Sequence, residues 1–82
     1  MNKVKVLFFA TLRDRAGMRQ TELDLSEGAT VADLKAHLVE RYPTLAESMP
    51  TVLVAVDHEY AFDDAVISEG AEVALFPPVS GG

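Results

Sequence analysis

The chain has 82 residues, a formal net charge of −6 and no cysteine. That length holds one domain with one small core, and the missing thiols exclude disulfides, zinc–thiolate centres, iron–sulfur clusters and thiol nucleophiles. The acidic balance argues against a nucleic-acid partner, which needs a basic footprint, and suits a basic protein partner or plain solubility.

The first predicted element is a strand over residues 3–10, KVKVLFFA. Alternation puts Val4, Val6 and Phe8 on one face and Lys3, Lys5, Leu7 and Phe9 on the other. The lysines mark the second face as the wetter one, which leaves Leu7 and Phe9 partly open to water. Lysines ahead of an apolar run faintly resemble a signal peptide. However, Thr11 and Arg13 break the run, and no cleavage pattern follows. No apolar stretch approaches membrane-spanning length, so no membrane partner is expected. A cysteine-free domain of this size fits the reducing cytoplasm.

TLRDRAGM reads as a loop, with Arg13 and Arg15 as solvated charges that could at most steer a partner. QTELDL alternates again, aligning Thr21, Leu23 and Leu25, and SEG at residues 26–28 is a turn. The helix is the best-marked element. Thr30 and Asp33 have capping-box spacing, and Val31, Leu34, Leu38 and Tyr42 form one apolar stripe at the α period. Pro43 ends the helix, which spans residues 31–41. TVLVAV, residues 51–56, is rich in β-branched residues and reads as a buried strand. DHEY turns into a short strand at residues 59–62, and a second SEG precedes a strand over residues 72–76. There Val73 and Leu75 point inward, with Glu72, Ala74 and Phe76 outward.

Strand, strand, helix and further strands in this length predict an α+β fold, one helix across one mixed sheet. The ubiquitin-like β-grasp is the natural candidate. In that fold the first and last strands are central and parallel, which would bring Phe9 and Phe76 together on the face without the helix. Two adjacent aromatics there mark a docking patch; the alternative is a loop lying over them.

Conventional catalytic groups are sparse. His37 lies off the apolar stripe near Arg41 and reads as a solvated side chain. His58 stands between Asp57 and Glu59, but strand alternation points it away from both neighbours, and no second ligand cluster accompanies it. No metal site is expected. Ser26, Ser48, Ser68 and Ser80 lack a glycine-framed nucleophile context, and no phosphate-binding glycine motif occurs. Asp63 and Asp64 read as turn residues.

The ending FPPVSGG carries the functional signal. The domain is expected over residues 1–76, with residues 77–82 an extended, flexible tail. Glycine has no side chain, so Gly81 and Gly82 can thread a slot closed to other residues. Pro77 and Pro78 favour an extended path and lower the entropy lost on insertion. With Val79 and Ser80, the six residues reach about 20 Å. The carboxylate of Gly82 is then the one reactive group deliverable into a remote site. It must be activated, typically by ATP as an acyl-adenylate, and sulfur attack on that anhydride leaves a thiocarboxylate.

The opening VKVLFFATLRDRAG, the capped helix, LVAVDHEY and the ending EGAEVALFPPVSGG together resemble the ThiS/MoaD sulfur carriers over essentially the whole chain. The resemblance is to the MoaD-like branch, the small subunits of molybdopterin synthase. Phe-Pro-Pro-Val-x-Gly-Gly is its specific part, because thiamine-pathway carriers share Gly-Gly but usually lack the proline brace. The resemblance implies a non-catalytic subunit with no bound cofactor. An E1-like adenylyltransferase would spend ATP to activate Gly82, and a sulfur donor would form the thiocarboxylate. The tail would then enter the large synthase subunit, in a heterotetramer of two small and two large subunits. There its sulfur would pass to cyclic pyranopterin monophosphate to build the dithiolene. Leu7, Phe9 and Phe76 would belong to the partner interface. Three other readings compete: a carrier for thiamine thiazole synthesis, a ubiquitin-like modifier of lysines, and a plain binding domain with incidental glycines.

Overall fold

The structure, a computed structural model, describes residues 2–78. β1 (Asn2–Phe8) buries Val4, Val6 and Phe8 and exposes Lys3 and Lys5, the alternation its sequence dictates. β2 (Gln20–Leu25) runs antiparallel to it, with Val4 opposite Leu23 and Leu7 opposite Gln20. On the other side of β1 lies β5 (Glu72–Phe76), parallel to it, with Val6 level with Val73 and Leu7 with Ala74. β3 (Leu53–Val56) pairs antiparallel with β5, and β4 (Glu59–Tyr60) lines the edge. The sheet order is β2-β1-β5-β3-β4, so the first and last strands are central, parallel neighbours as the element order suggested.

The main helix, α2 (Val31–Arg41), has the bounds that its sequence pattern predicts. Thr30 Oγ1 accepts the Asp33 amide at 3.3 Å, and Asp33 Oδ2 accepts the Thr30 amide at 2.9 Å. This reciprocal box satisfies two amides that a helix start otherwise leaves unpaired. At the other end Tyr42 leaves the α region at φ −130°, ψ 80°, because Pro43 follows. Val31, Leu34 and Leu38 are fully buried and join Val4, Val6, Phe8, Leu23, Leu25, Val73 and Leu75 in one core. Each such side chain contributes about 1.5–3 kcal/mol by leaving water. Tyr42 stays half-buried. Its ring packs edge-on to Phe8 at 6.3 Å, and its hydroxyl is hydrogen-bonded to Thr21 Oγ1 at 2.9 Å. The helix therefore covers one face of the sheet and leaves the other open.

Four expectations are corrected. TLRDRAGM is not all loop: α1 (Thr11–Ala16) is a short helix, closed by Gly17 at φ 75°, whose amide donates to Arg13 O at 2.9 Å. Two apolar residues, Leu12 and Ala16, are too few to show a period, yet Leu12 is 1% exposed and anchors that helix to the core, with Ala16 packed against it. β1 ends at Phe8 rather than residue 10, because Ala10 turns the chain at φ 52°. The strand expected from residue 51 starts at Leu53; Met49–Thr51 is a 3-10 turn with Pro50 in its first positions. β4 stops at Tyr60 instead of running to residue 62.

The β3–β4 connection is a two-residue loop, Asp57 at φ 50° and His58 at φ 73°. Both residues have the positive φ of a type I′ hairpin turn, which matches strand twist. Asp57 also ties this turn to β5: its Oδ1 accepts the Glu72 amide at 2.9 Å, and its own amide donates to Glu72 O at 2.8 Å.

Candidate functional site

Strand register builds the uncovered face in rows. Across the middle, Gln20, Leu7, Ala74, Ala55 and Tyr60 stand side by side. One step towards the end of β5, Phe76 stands opposite Leu53 and stacks on Phe9, with ring centroids 4.7 Å apart and planes 12° from parallel. Offset stacking at that spacing is a favourable aromatic geometry. One step the other way, Glu22, Lys5 and Glu72 alternate in charge, which stabilises neighbouring strands. The face thus runs from charged to aromatic as it approaches the point where the chain leaves the sheet.

The middle row makes a hollow. Ala74 and Ala55 are its floor, because two small side chains lie between large ones. Leu7, Phe9, Phe76 and Tyr60 rise around them, and His58 and Glu72 close the polar end. The groove encloses about 260 Å³. Phe9 is 41% exposed although its amide still donates to Leu75 O at 3.2 Å, so backbone pairing holds it in place. Phe9 and Phe76 are brought together as the sequence suggested, Leu7 lies beside them, and no described loop crosses them. His58 was weighed only as a metal ligand, and Ala55 and Tyr60 were missed. The alignment of Ala55 and Tyr60 with Ala74 depends on the register of β3 and β4, which alternation within single strands cannot supply.

Phe76 is the last residue of β5. Pro77 follows half-buried and Pro78 exposed, both outside the ladder. Proline has no amide to donate, so pairing stops here. The aromatic stack therefore sits at the root of the proline segment. Val79, Ser80, Gly81 and Gly82 lie outside the described residues.

The other candidate groups lie elsewhere. His37 is exposed on α2. Among the described residues, no three His, Asp or Glu side chains gather into a metal-binding group, and no helix is long and apolar enough to cross a membrane. Asp63 and Asp64 do form a turn, where Asp63 Oδ1 accepts from Lys35 Nζ at 2.6 Å. Arg15 pairs with Glu47 at 3.6 Å on the surface. Thr44 Oγ1 donates to Arg15 O at 2.6 Å, so the two stretches without an assigned role, residues 13–19 and 44–50, brace one another.

A five-stranded mixed sheet with central parallel first and last strands, one capped helix on one face and a stacked aromatic pair on the other defines a ubiquitin-like β-grasp protein. Residues 6–82 match the ThiS family, and the chain belongs to it. The molybdopterin synthase sulfur carrier subunit of Chlamydomonas reinhardtii is 38% identical, over 98% of this chain and 99% of its own. Two solved structures are each 34% identical to this chain. A Pyrococcus furiosus chain, assigned provisionally as subunit 1 of a molybdopterin converting factor, superposes with a TM-score of 0.88 over 96% of this chain and 100% of that one. SAMP1, small archaeal modifier protein 1, of Haloferax volcanii gives 0.87 over 99% and 100%.

Proposed function

We propose that this protein is the sulfur carrier of a molybdopterin synthase, active through the main-chain carboxyl of Gly82. Adenylation by an E1-like enzyme would join that carboxylate to AMP and release pyrophosphate from ATP. Sulfide released by a sulfur donor then attacks the carbonyl, AMP leaves, and loss of the sulfur's proton gives the thiocarboxylate –C(=O)S⁻. In the large subunit this sulfur attacks a side-chain carbon of the pterin precursor, and the oxygen substituent of that carbon leaves. Hydrolysis of the resulting acyl–sulfur bond leaves sulfur on the precursor and restores the carboxylate, and repetition completes the dithiolene. The chain supplies no acid or base to these steps. It supplies a docking face, a proline-braced arm over residues 77–82 and a cargo site that needs no cysteine. The reducing cytoplasm suits such a carrier.

The observation that carries this reading is the stacked Phe9–Phe76 pair, open on the helix-free face at the root of the Phe-Pro-Pro segment. A partner gripping that face would meet the chain where Pro77 leaves the sheet, so that only the short tail remains to be ordered on insertion. The full-length match to molybdopterin synthase sulfur carrier subunits supports the same reading. Its partner would be a large subunit, in an assembly of two small and two large chains.

Reconstitution tests it. The chain is incubated with ATP, an E1-like adenylyltransferase and a sulfur donor, and intact mass should show one oxygen replaced by sulfur. Added to the large subunit and the cyclic pterin precursor, the product should yield the dithiolene, and deletion of Gly82 should abolish it. Thiazole formation in its place would assign the chain to thiamine synthesis. The likeness to small archaeal modifier protein 1 favours a second reading, conjugation to lysines. Under that reading, ATP, activator and lysate give a ladder of isopeptide conjugates; under the carrier reading they give none.

A further inference from the structure

The sheet has a second apolar surface, around the corner from the docking face. Four large hydrophobic side chains are well exposed among the described residues, and three of them, Tyr60 (78%), Phe62 (85%) and Val66 (63%), line one groove beside β4. A lone exposed apolar side chain is ordinary. Three within seven residues, gathered in one groove, form a patch that protein surfaces seldom leave without a partner.

The segment that carries them is firmly held. The Ala61 amide donates to Val54 O at 2.9 Å, and the Ala65 amide to Phe62 O at 3.0 Å. The amides of Val31 and Ala32, in the first turn of α2, donate to Ala65 O and Asp63 O at 2.9 and 3.0 Å. Thr30 and Val66 form a β-bridge, and Lys35 pairs with Asp63. Phe62 is thus held out into solvent by backbone bonds on either side. Such preorganisation lowers the ordering cost when a partner binds.

Charge selects the partner. Asp57, Glu59 and Asp64 line the groove, and no lysine, arginine or histidine does. The groove is lined by apolar and anionic side chains together, on a chain of net charge −6. Such a surface repels anionic lipid and nucleic acid and attracts a cationic protein. β4 is only two residues long, too short to template an added strand, so side chains must make the contact.

We propose that the Tyr60–Phe62–Val66 groove is a second protein-docking surface, built for a segment that sets one large apolar side chain between lysines or arginines. It goes beyond the carrier reading and does not depend on it. Tyr60 lines both grooves, whereas Phe9 and Phe76 line only the first. A partner held through Phe62 therefore leaves the aromatic stack at the root of the tail uncovered.

The test titrates the isotope-labelled full chain with two peptides, one carrying a phenylalanine between two Arg-Lys pairs and one with glutamates in place of those cations. The Arg-Lys peptide should shift the amides of Glu59, Phe62, Asp64 and Val66, and weaken at least fivefold from 50 to 300 mM salt, while the glutamate peptide should not bind. Phe62→Ser, at an exposed position that keeps the fold by thermal melt, should weaken binding at least tenfold; Phe9→Ala should leave it within twofold. Shifts centred on Phe9 and Phe76, shifts scattered over the acidic surface, no binding, or Phe62→Ser within twofold of the parent would each overturn the proposal. None of these outcomes bears on sulfur transfer, whose own test is dithiolene formation.

Discussion

Phe9→Ala separates docking from folding. The ring stands outside the core and is 41% exposed. A phenylalanine presents roughly 200 Å², so about 80 Å² remains for a partner to cover, worth about 2 kcal/mol at about 25 cal/mol per Å². That is a loss of about 30-fold in affinity for the large subunit. The same substitution removes the stack on Phe76 at 4.7 Å, which costs the isolated chain about 0.5–1.5 kcal/mol. Calorimetric titration of the full chain into the large subunit measures the first figure, and urea unfolding of the free chain measures the second. Phe76→Ala and the double variant complete a cycle, in which the two rings should couple in binding because a partner covers them as one surface. The docking argument fails if Phe9→Ala unfolds normally and binds within threefold of the parent.

Ala74→Leu fills the groove floor from a half-buried, outward-facing position, so it should weaken large-subunit binding more than tenfold while shifting the thermal midpoint by a few degrees at most; both are measured on the same preparation. Thr30→Ala removes the side-chain acceptor for the Asp33 amide and should cost about 1 kcal/mol in urea unfolding, with large-subunit affinity unchanged. His58→Gly relieves a side chain at φ 73° in the type I′ turn and should raise stability by about 0.5–1 kcal/mol; a loss of stability would mean that the imidazole packs usefully against the groove.

What could be read from the sequence followed from local repetition. α2 declared its stripe, its box and its proline stop, and all three are physical features of one short stretch. β1 and β5 declared their faces by alternation, and Phe9 and Phe76 followed once the two strands were taken as parallel neighbours. α1 stayed hidden because a single i,i+4 pair, Leu12 and Ala16, in six residues is too short to show a period. It forms because Leu12 can be buried and Gly17 can close it, and both are tertiary opportunities. The groove floor stayed hidden for a related reason. Ala55 looks like any small residue in a buried strand until pairing with Ala74 and Tyr60 sets it among larger side chains. The start of β3 was misjudged because Thr51 and Val52 have strand propensity, which Pro50 and the turn beginning at Met49 override.

The parallel pairing of β1 and β5 links the docking face to the tail. In a parallel pair both strands reach the same edge of the sheet with their C-terminal ends. Phe9 follows β1 and Phe76 ends β5, so one pairing register sets both the ring-to-ring contact and the exit point of Pro77. Shifting β5 by one residue would turn Val73 and Leu75 to solvent and bury Glu72, Ala74 and Phe76. The core of this small domain cannot absorb that exchange, because Val73 and Leu75 are fully buried in it. The stability of the fold therefore fixes where Pro77 leaves the sheet relative to the Phe9–Phe76 stack. Under the proposed carrier function, an activating enzyme and an acceptor would each meet the same aromatic face beside the same exit point of Pro77, and the hydrophobic core sets that relation.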